Sequence, residues 1–216
     1  MKLKVCGMKY QDNIEAVSAL SPDYLGFIFY EKSSRNFESH IPSIPSTIKK
    51  VGVFVDASLE FISEKVKQYN FRAIQLHGNE SADFCKKLKE LYPSDPNSGD
   101  DNQIEIWKVF SVKEEFDFDK LKPYEGIVDY FLFDTKGKEK GGNGYTFDWS
   151  LLNNYSSNTP FILSGGIGLD EIDKLKDIFE TDLPIYAIDV NSKFEIKPGL
   201  KNITEIEKFK KLVIPG

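Results

Sequence analysis

Short apolar runs alternate along this chain with stretches in which apolar residues recur every three or four positions. The runs read as strands buried on both faces, and the three-to-four spacing reads as helices with one buried face. Strands are expected at Lys2–Cys6, Tyr24–Phe29, Lys50–Val55, Ala73–Leu76, Ile104–Phe110, Tyr130–Phe133, Phe161–Leu163 and Ile185–Ile188. Helices are expected at Tyr10–Leu20, from an N-cap at Ser58 to Tyr69, and at Glu80–Tyr92, Phe116–Tyr124, Trp149–Asn153, Leu169–Phe179 and Asn202–Leu212. His40–Lys49 contains Pro42 and Pro45, which allow only a short or broken helix. Pro93–Gln103 has no periodicity and reads as an exposed loop inside a domain, because the pattern resumes unchanged after it.

Eight strands thus alternate with about eight helices, and the strand ends recur every 21 to 34 residues. This is the pattern of a (β/α)8 TIM barrel, here one α/β domain over residues 1–216. The alternative, a doubly wound open sheet, has fewer strands, and no dinucleotide loop follows the first strand.

Composition narrows the partners. Forty per cent of the 216 residues are apolar, enough for a core, and the net charge is −6 with no basic block, so nucleic acid and acidic membranes are not expected partners. No apolar stretch approaches the roughly 20 residues that span a bilayer, and no signal-peptide pattern opens the chain. Two cysteines, Cys6 and Cys85, make no disulfide framework, so a cytoplasmic protein is expected. A monomer is expected too, since no apolar surface stripe stands out. Arginine is used only twice, at Arg35 and Arg72.

In a barrel the residues just past the strands converge on one mouth. Here they are Cys6, Arg35, His77, Asp134, Gly165, Gly166, Asp189, Asn191 and Ser192. Asp134 stops the apolar run Phe131–Phe133, and a glycine-rich stretch, Gly137–Gly144, reads as part of a lid; the plain alternative is an aspartate that turns the chain. The loops after strands seven and eight, Ser164–Gly168 and Asn191–Ser192, fit the usual phosphate site of this fold. Cys6 is either a small buried hydrophobe or a mouth thiol acting as nucleophile or base. His77 is a cap, a packing residue or part of the site. Arg35 could hold a carboxylate in a bidentate fork, whereas Arg72 is expected on the opposite rim. Two histidines and scattered carboxylates make no metal-ligand cluster.

At these positions the chain resembles the phosphoribosylanthranilate isomerases, barrel enzymes of tryptophan biosynthesis. The matching segments are Lys4–Gly7, Gly26–Phe29 with Lys32–Arg35, Val51–Val55, Gln75–Gly78, Phe133–Thr135 with Gly141–Gly144 and Phe147–Trp149, Leu163–Ile167, and Ile188–Ser192 with Pro198–Gly199. They run in order from strand one to helix eight. The resemblance implies an Amadori rearrangement of N-(5'-phosphoribosyl)anthranilate with Cys6 as general base and Asp134 as general acid. It implies Arg35 beside the anthranilate carboxylate, the phosphate at Gly165–Gly166 and Asn191–Ser192, and no metal or organic cofactor. Asp134 would then need a proton near neutral pH, which an ordinary carboxyl of pKa about 3.9 lacks, and burial beside Phe131 and Phe133 is expected to favour that proton. Cys6 would need some thiolate, a few per cent at pH 7 for an ordinary thiol. The chain departs from the family where a Ser-Ser-Gly run is common after strand eight: it reads Asn191-Ser192-Lys193, so Lys193 either adds a charge to the phosphate site or obstructs it. Lys138-Glu139-Lys140 lengthens the expected lid. A related sugar-phosphate isomerase of histidine biosynthesis is the nearest rival, but paired aspartates usually run that reaction and Cys6 stands in place of one. The other rival is a non-catalytic barrel that only binds.

Overall fold

All eight expected strands form, and they close on one another. In the computed structural model, which describes residues 1–93, 103–135 and 146–214, the strands are β1 (Lys2–Val5), β2 (Tyr24–Phe29), β3 (Lys49–Phe54), β4 (Ala73–Leu76), β5 (Glu105–Val112), β6 (Tyr130–Thr135), β7 (Phe161–Leu163) and β8 (Ile185–Val190). Neighbours pair in parallel in chain order, and β8 returns to β1 to seal the barrel. Strands β5, β6 and β8 each run two residues past their apolar stretch. Their last inward positions face the mouth and carry polar side chains, so hydrophobicity stops before the hydrogen bonding does. The loop expected at Pro93–Gln103 and the lid expected at Gly137–Gly144 lie largely or wholly outside the described residues.

Five α-helices form: α1 (Gln11–Ala19), α2 (Leu59–Tyr69), α3 (Ala82–Leu91), α4 (Ile172–Phe179) and α5 (Ile203–Val213). Ser58 caps α2 as expected, accepting the Phe61 amide proton, and Ser81 and Asn202 cap α3 and α5 in the same way. The expected helices at Phe116–Tyr124 and Trp149–Asn153 are instead 3-10 turns, Phe118–Tyr124 and Trp149–Asn154. Asp117 and Asp148 each accept the amide proton two residues on, which tightens the first turn, and Pro123 lies inside the former segment. Leu169–Glu171 is likewise 3-10 before α4 begins, and His40–Lys49 forms no helix. An unexpected antiparallel pair, β9 (Glu195–Lys197) and β10 (Leu200–Lys201), follows β8 through a short 3-10 turn at Ser192–Phe194. Among the described residues no helix is long and apolar enough to cross a membrane.

The period of two along each strand sorts side chains into two layers. Leu132 points inward with Val51, Val53, Trp107, Ile162 and Ala187, while Phe131 and Phe133 point outward into the layer beneath the helices. There Phe133 meets the rings of Phe116, Phe118, Tyr155 and Phe161. This corrects one expectation: the two phenylalanines flank Asp134 in sequence but pack on the other face of β6, away from its carboxyl.

Candidate active site

The inward positions at the carboxyl ends of the strands line a mouth of about 910 Å³. Cys6, Arg35, His77, Asp134, Gly165, Gly166, Asp189, Asn191 and Ser192 all border it. Arg72 precedes β4, at the other end of the barrel, and Cys85 is buried in α3, where burial pushes its thiol up to about 12.

Cys6 continues β1, its amide donating to the Val190 carbonyl at 2.9 Å, and it is 4% exposed. Burial pushes its thiol above the ordinary value, Lys4 pulls it back, and Asp189 adds to the rise. The resting residue is therefore a thiol, with less thiolate at neutral pH than an ordinary cysteine. Strand order explains the neighbours. Lys4 and Cys6 are two residues apart on β1 and share its inner face, and Asp189 pairs with Lys4 across the β1–β8 ladder. Lys4 Nζ and Asp189 Oδ2 meet at 2.9 Å in the barrel centre, with the lysine side chain fully buried.

Asp134 faces the mouth from β6, its side chain 17% exposed. His77 Nε2 lies 3.4 Å from Asp134 Oδ2. The other ring nitrogen, Nδ1, lies 3.2 Å from Gln75 Nε2, so the ring is held between the Gln75 amide and the Asp134 carboxyl. His77 is thus neither a helix cap nor a core packer. The loop that carries it is tied down from behind by Lys108, whose Nζ donates to the Gly78 carbonyl at 2.8 Å and pairs with buried Glu80 at 3.1 Å.

Gly165 and Gly166 follow β7 with φ of +88° and +68°, conformations that side chains rarely adopt. A Cβ on Gly165 would strike the backbone nitrogen and hydroxyl of Thr135 and come within 2.8 Å of Asp134 Oδ1. Gly165→Ala is expected to cost about 1–3 kcal/mol of stability from the backbone conformation alone, and to raise KM by displacing both loop and carboxyl. Denaturation midpoints and steady-state kinetics of the variant check this; wild-type values for both would contradict it. On the next strand, the 3-10 turn at Ser192–Phe194 opens at the mouth, and its first amides precede any intrahelical acceptor. Lys193 borders the mouth, its stem packed over Gly168, where an added Cβ would sit 3.1 Å from the Lys193 Cβ. A side chain in place of Gly168 would crowd it.

Arg35 does hold a carboxylate in its fork, but that of Glu195. Nε donates to Oε1 and Oε2 at 2.9 and 3.1 Å, and Nη2 donates to Oε2 at 2.6 Å. Lys201 Nζ shares Oε1 at 2.8 Å and also donates to Asn191 Oδ1 at 2.6 Å. Glu195 therefore ties the loop after β2 to the loop after β8. Burial alone would raise the Glu195 carboxyl, but Arg35 and Lys201 outweigh it and hold it below its ordinary value. A depressed carboxyl contributes stability above its unfolded pKa of about 4.3, and loses it as pH falls through the lower folded value. Glu195→Gln would leave buried Lys201 and partly buried Arg35 short of a partner, at a cost of up to about 3 kcal/mol near neutral pH. Denaturant titrations of both proteins between neutral and acid pH should show that deficit shrinking at the acid end; an equal deficit at every pH would contradict the linkage.

Lys4, Glu195, Lys201 and the Lys108–Glu80 pair escaped the reading of the sequence. Lys4 alone had a local signal, a charged residue two before Cys6 on the same strand face. The others are long-range pairs with none.

Residues 3–212 match the model of the family described as N-(5'phosphoribosyl)anthranilate (PRA) isomerase. The N-(5'-phosphoribosyl)anthranilate isomerase of Parabacteroides distasonis is 42% identical, the match covering 97% of this chain and 91% of that one. The Phocaeicola vulgatus protein of the same name is 38% identical over 97% and 96%. Among solved structures, the phosphoribosylanthranilate isomerase of Thermotoga maritima superposes with a TM-score of 0.81 at 30% identity, covering 99% of this chain and 98% of that one. A phosphoribosylanthranilate isomerase in complex with reduced 1-(o-carboxyphenylamino)-1-deoxyribulose 5-phosphate gives 0.78 at 27% identity over the same shares.

Proposed function

The chain belongs to the N-(5'-phosphoribosyl)anthranilate isomerase family, and from that premise we propose that Cys6 is the general base and Asp134 the general acid of its reaction. The reaction is the Amadori rearrangement of N-(5'-phosphoribosyl)anthranilate to 1-(2-carboxyphenylamino)-1-deoxyribulose 5-phosphate in tryptophan biosynthesis. The observation that carries the residue assignment is the order of the strands. Asp134 lies in the last two residues of β6 and Cys6 follows β1, and between them around the closed ring stand β7, with Gly165–Gly166, and β8, with Asn191–Ser192. Acid and base thus flank the two anion-binding loops at one mouth.

Asp134 donates a proton to the furanose oxygen as the C1–O bond breaks, and the anilino nitrogen supplies electrons to form an iminium. The iminium acidifies the sugar C2, and the Cys6 thiolate takes that proton. The positive charge of the iminium favours thiolate at the step that needs it. The resulting enolamine gains a proton at C1 while its C2 hydroxyl gives one up, and it becomes the ketone. Arg35, set by Glu195, stands by the anthranilate carboxylate with Nη1 outside the Glu195 fork, and His77 and Asp189 line the sugar. The amides of Gly165, Gly166 and Ser192 take the phosphate, with Lys193 adding charge that a chain of net −6 otherwise lacks. Loss of substrate fluorescence on adding the purified protein tests the activity, and an inert protein would overturn it.

The same reading takes residues 1–216 as one domain and the protein as a cytoplasmic monomer. Its exposed large apolar side chains, among them Phe61, Leu91 and Ile196, sit on separate segments. Light scattering on an eluting peak is expected to read about 24.6 kDa; twice that mass would contradict a monomer.

A further inference from the structure

The Lys4 ammonium sits at the barrel centre, fully buried, and makes no aligned hydrogen bond despite its close approach to Asp189. Asp189 Oδ1 is likewise buried without a partner. Burying two charges is costly, and an ion pair with unsatisfied atoms is poor compensation. A barrel centre filled by apolar side chains would be at least as stable, so the pair calls for another use. Its position supplies one. Gly26 on β2 leaves a space shared by Lys4 and Cys6: the point where a Cβ would stand is 2.8 Å from Cys6 Sγ and 3.1 Å from Lys4 Cε. The end of the lysine stem thus borders the same space as the sulfur, and the amine lies over the face of Trp107 at 5.9 Å from its centroid.

We propose that Lys4 is a positioning residue for the rearrangement, a fixed positive charge under Cys6 on which the thiolate forms, with Asp189 keeping that amine protonated. The proposal rests on Cys6 being the base. Other charged groups face the same space. Lys201 of β10 also acts on the sulfur, Asp134 of β6 and His77 after β4 act on Asp189, and Arg35 and Glu195 stand behind Lys201. Burial works against the Lys4 ammonium, but Asp189 and then Cys6 outweigh it and hold the amine above its ordinary value. It therefore stays charged throughout the pH range of activity. For the thiol, Lys4 is the leading influence opposing burial.

The test is the rate at which methyl methanethiosulfonate modifies Cys6 at pH 8, followed by mass spectrometry in a Cys85→Ala background. An opposite charge this close shifts an acid by about 1–3 pH units. The lower thiolate fraction is partly offset by the greater nucleophilicity of a more basic thiolate. Lys4→Met is therefore expected to slow modification about 3- to 50-fold, and Asp189→Asn to speed it. A merely structural lysine would give the opposite sign for Lys4→Met, because a loosened barrel exposes the sulfur. Should Lys4→Met fail to fold, Lys4→Met with Asp189→Asn leaves no lone buried charge; it is expected to react at least about threefold more slowly than Asp189→Asn alone. Equal or faster modification on loss of the amine, in either pair, overturns the proposal. An active Cys6→Ala enzyme would overturn the base assignment instead, whatever the modification rates show.

Discussion

Asp134→Asn is expected to lose about 10²–10⁴-fold in turnover while keeping its fold, the range that a single general acid contributes. The amide preserves the shape of the carboxyl and can still hydrogen-bond with His77, so the mouth stays assembled. It cannot release a proton to the furanose oxygen, and without that proton the C1–O bond must break to an alkoxide. The loss should appear in kcat more than in KM, because the acid acts as the bond breaks rather than in holding the phosphate. Substrate fluorescence decay gives the rates and circular dichroism the fold. Turnover within a few-fold of wild type in a folded variant would remove Asp134 from the chemistry.

Cys6→Ala is expected to lose a similar factor, about 10²–10⁴-fold, because a methyl group cannot take a proton. Methyl for thiol is a small change at a site 4% exposed, so packing loss alone does not account for such a drop. The pH profile separates the roles further. With Asp134 as the acid and Cys6 as the base, turnover needs a proton on the carboxyl and none on the thiol, the reverse of the order in which such groups normally titrate. The correctly charged fraction is therefore small and flat between the two, and on the alkaline side kcat/KM falls only above the thiol's own titration. Burial places that alkaline limb above the roughly 8.5 of an ordinary cysteine. Cys6→Ala should abolish the limb along with the rate. A variant with wild-type rate and an unchanged profile would reduce the thiol to packing.

The barrel was legible because eight apolar runs end at near-regular intervals, and the mouth because each run stops at a residue of distinct chemistry. Cys6, Asp134 and the two glycines needed only their places at strand ends. The orientation of Phe131 and Phe133 was harder: a strand buried on both faces shows no alternation of polar and apolar residues, so the chain does not announce which face is the mouth. The 3-10 turns at Phe118–Tyr124 and Trp149–Asn154 read as helices because one turn of either carries the same apolar spacing. Arg35 was expected beside a substrate carboxylate, and in the structure its fork holds Glu195, 160 residues away. The short β9–β10 pair that delivers Glu195 and Lys201 has no periodicity to find. These misses share a cause: they depend on which residues the closed ring brings together.

With Cys6 as base and Asp134 as acid, the sulfur of residue 6 and the carboxyl of residue 134 must address one sugar from opposite sides. A crystal of this protein with the reduced product analogue measures that directly. Cys6 Sγ is expected in contact with the ribulose C2, and an Asp134 oxygen at hydrogen-bond distance, about 2.6–3.2 Å, from the C4 hydroxyl that was the ring oxygen. The phosphate should lie on the amides of Gly165, Gly166 and Ser192. A sugar seated with either group out of reach, or with its phosphate at another rim of the barrel, would contradict it.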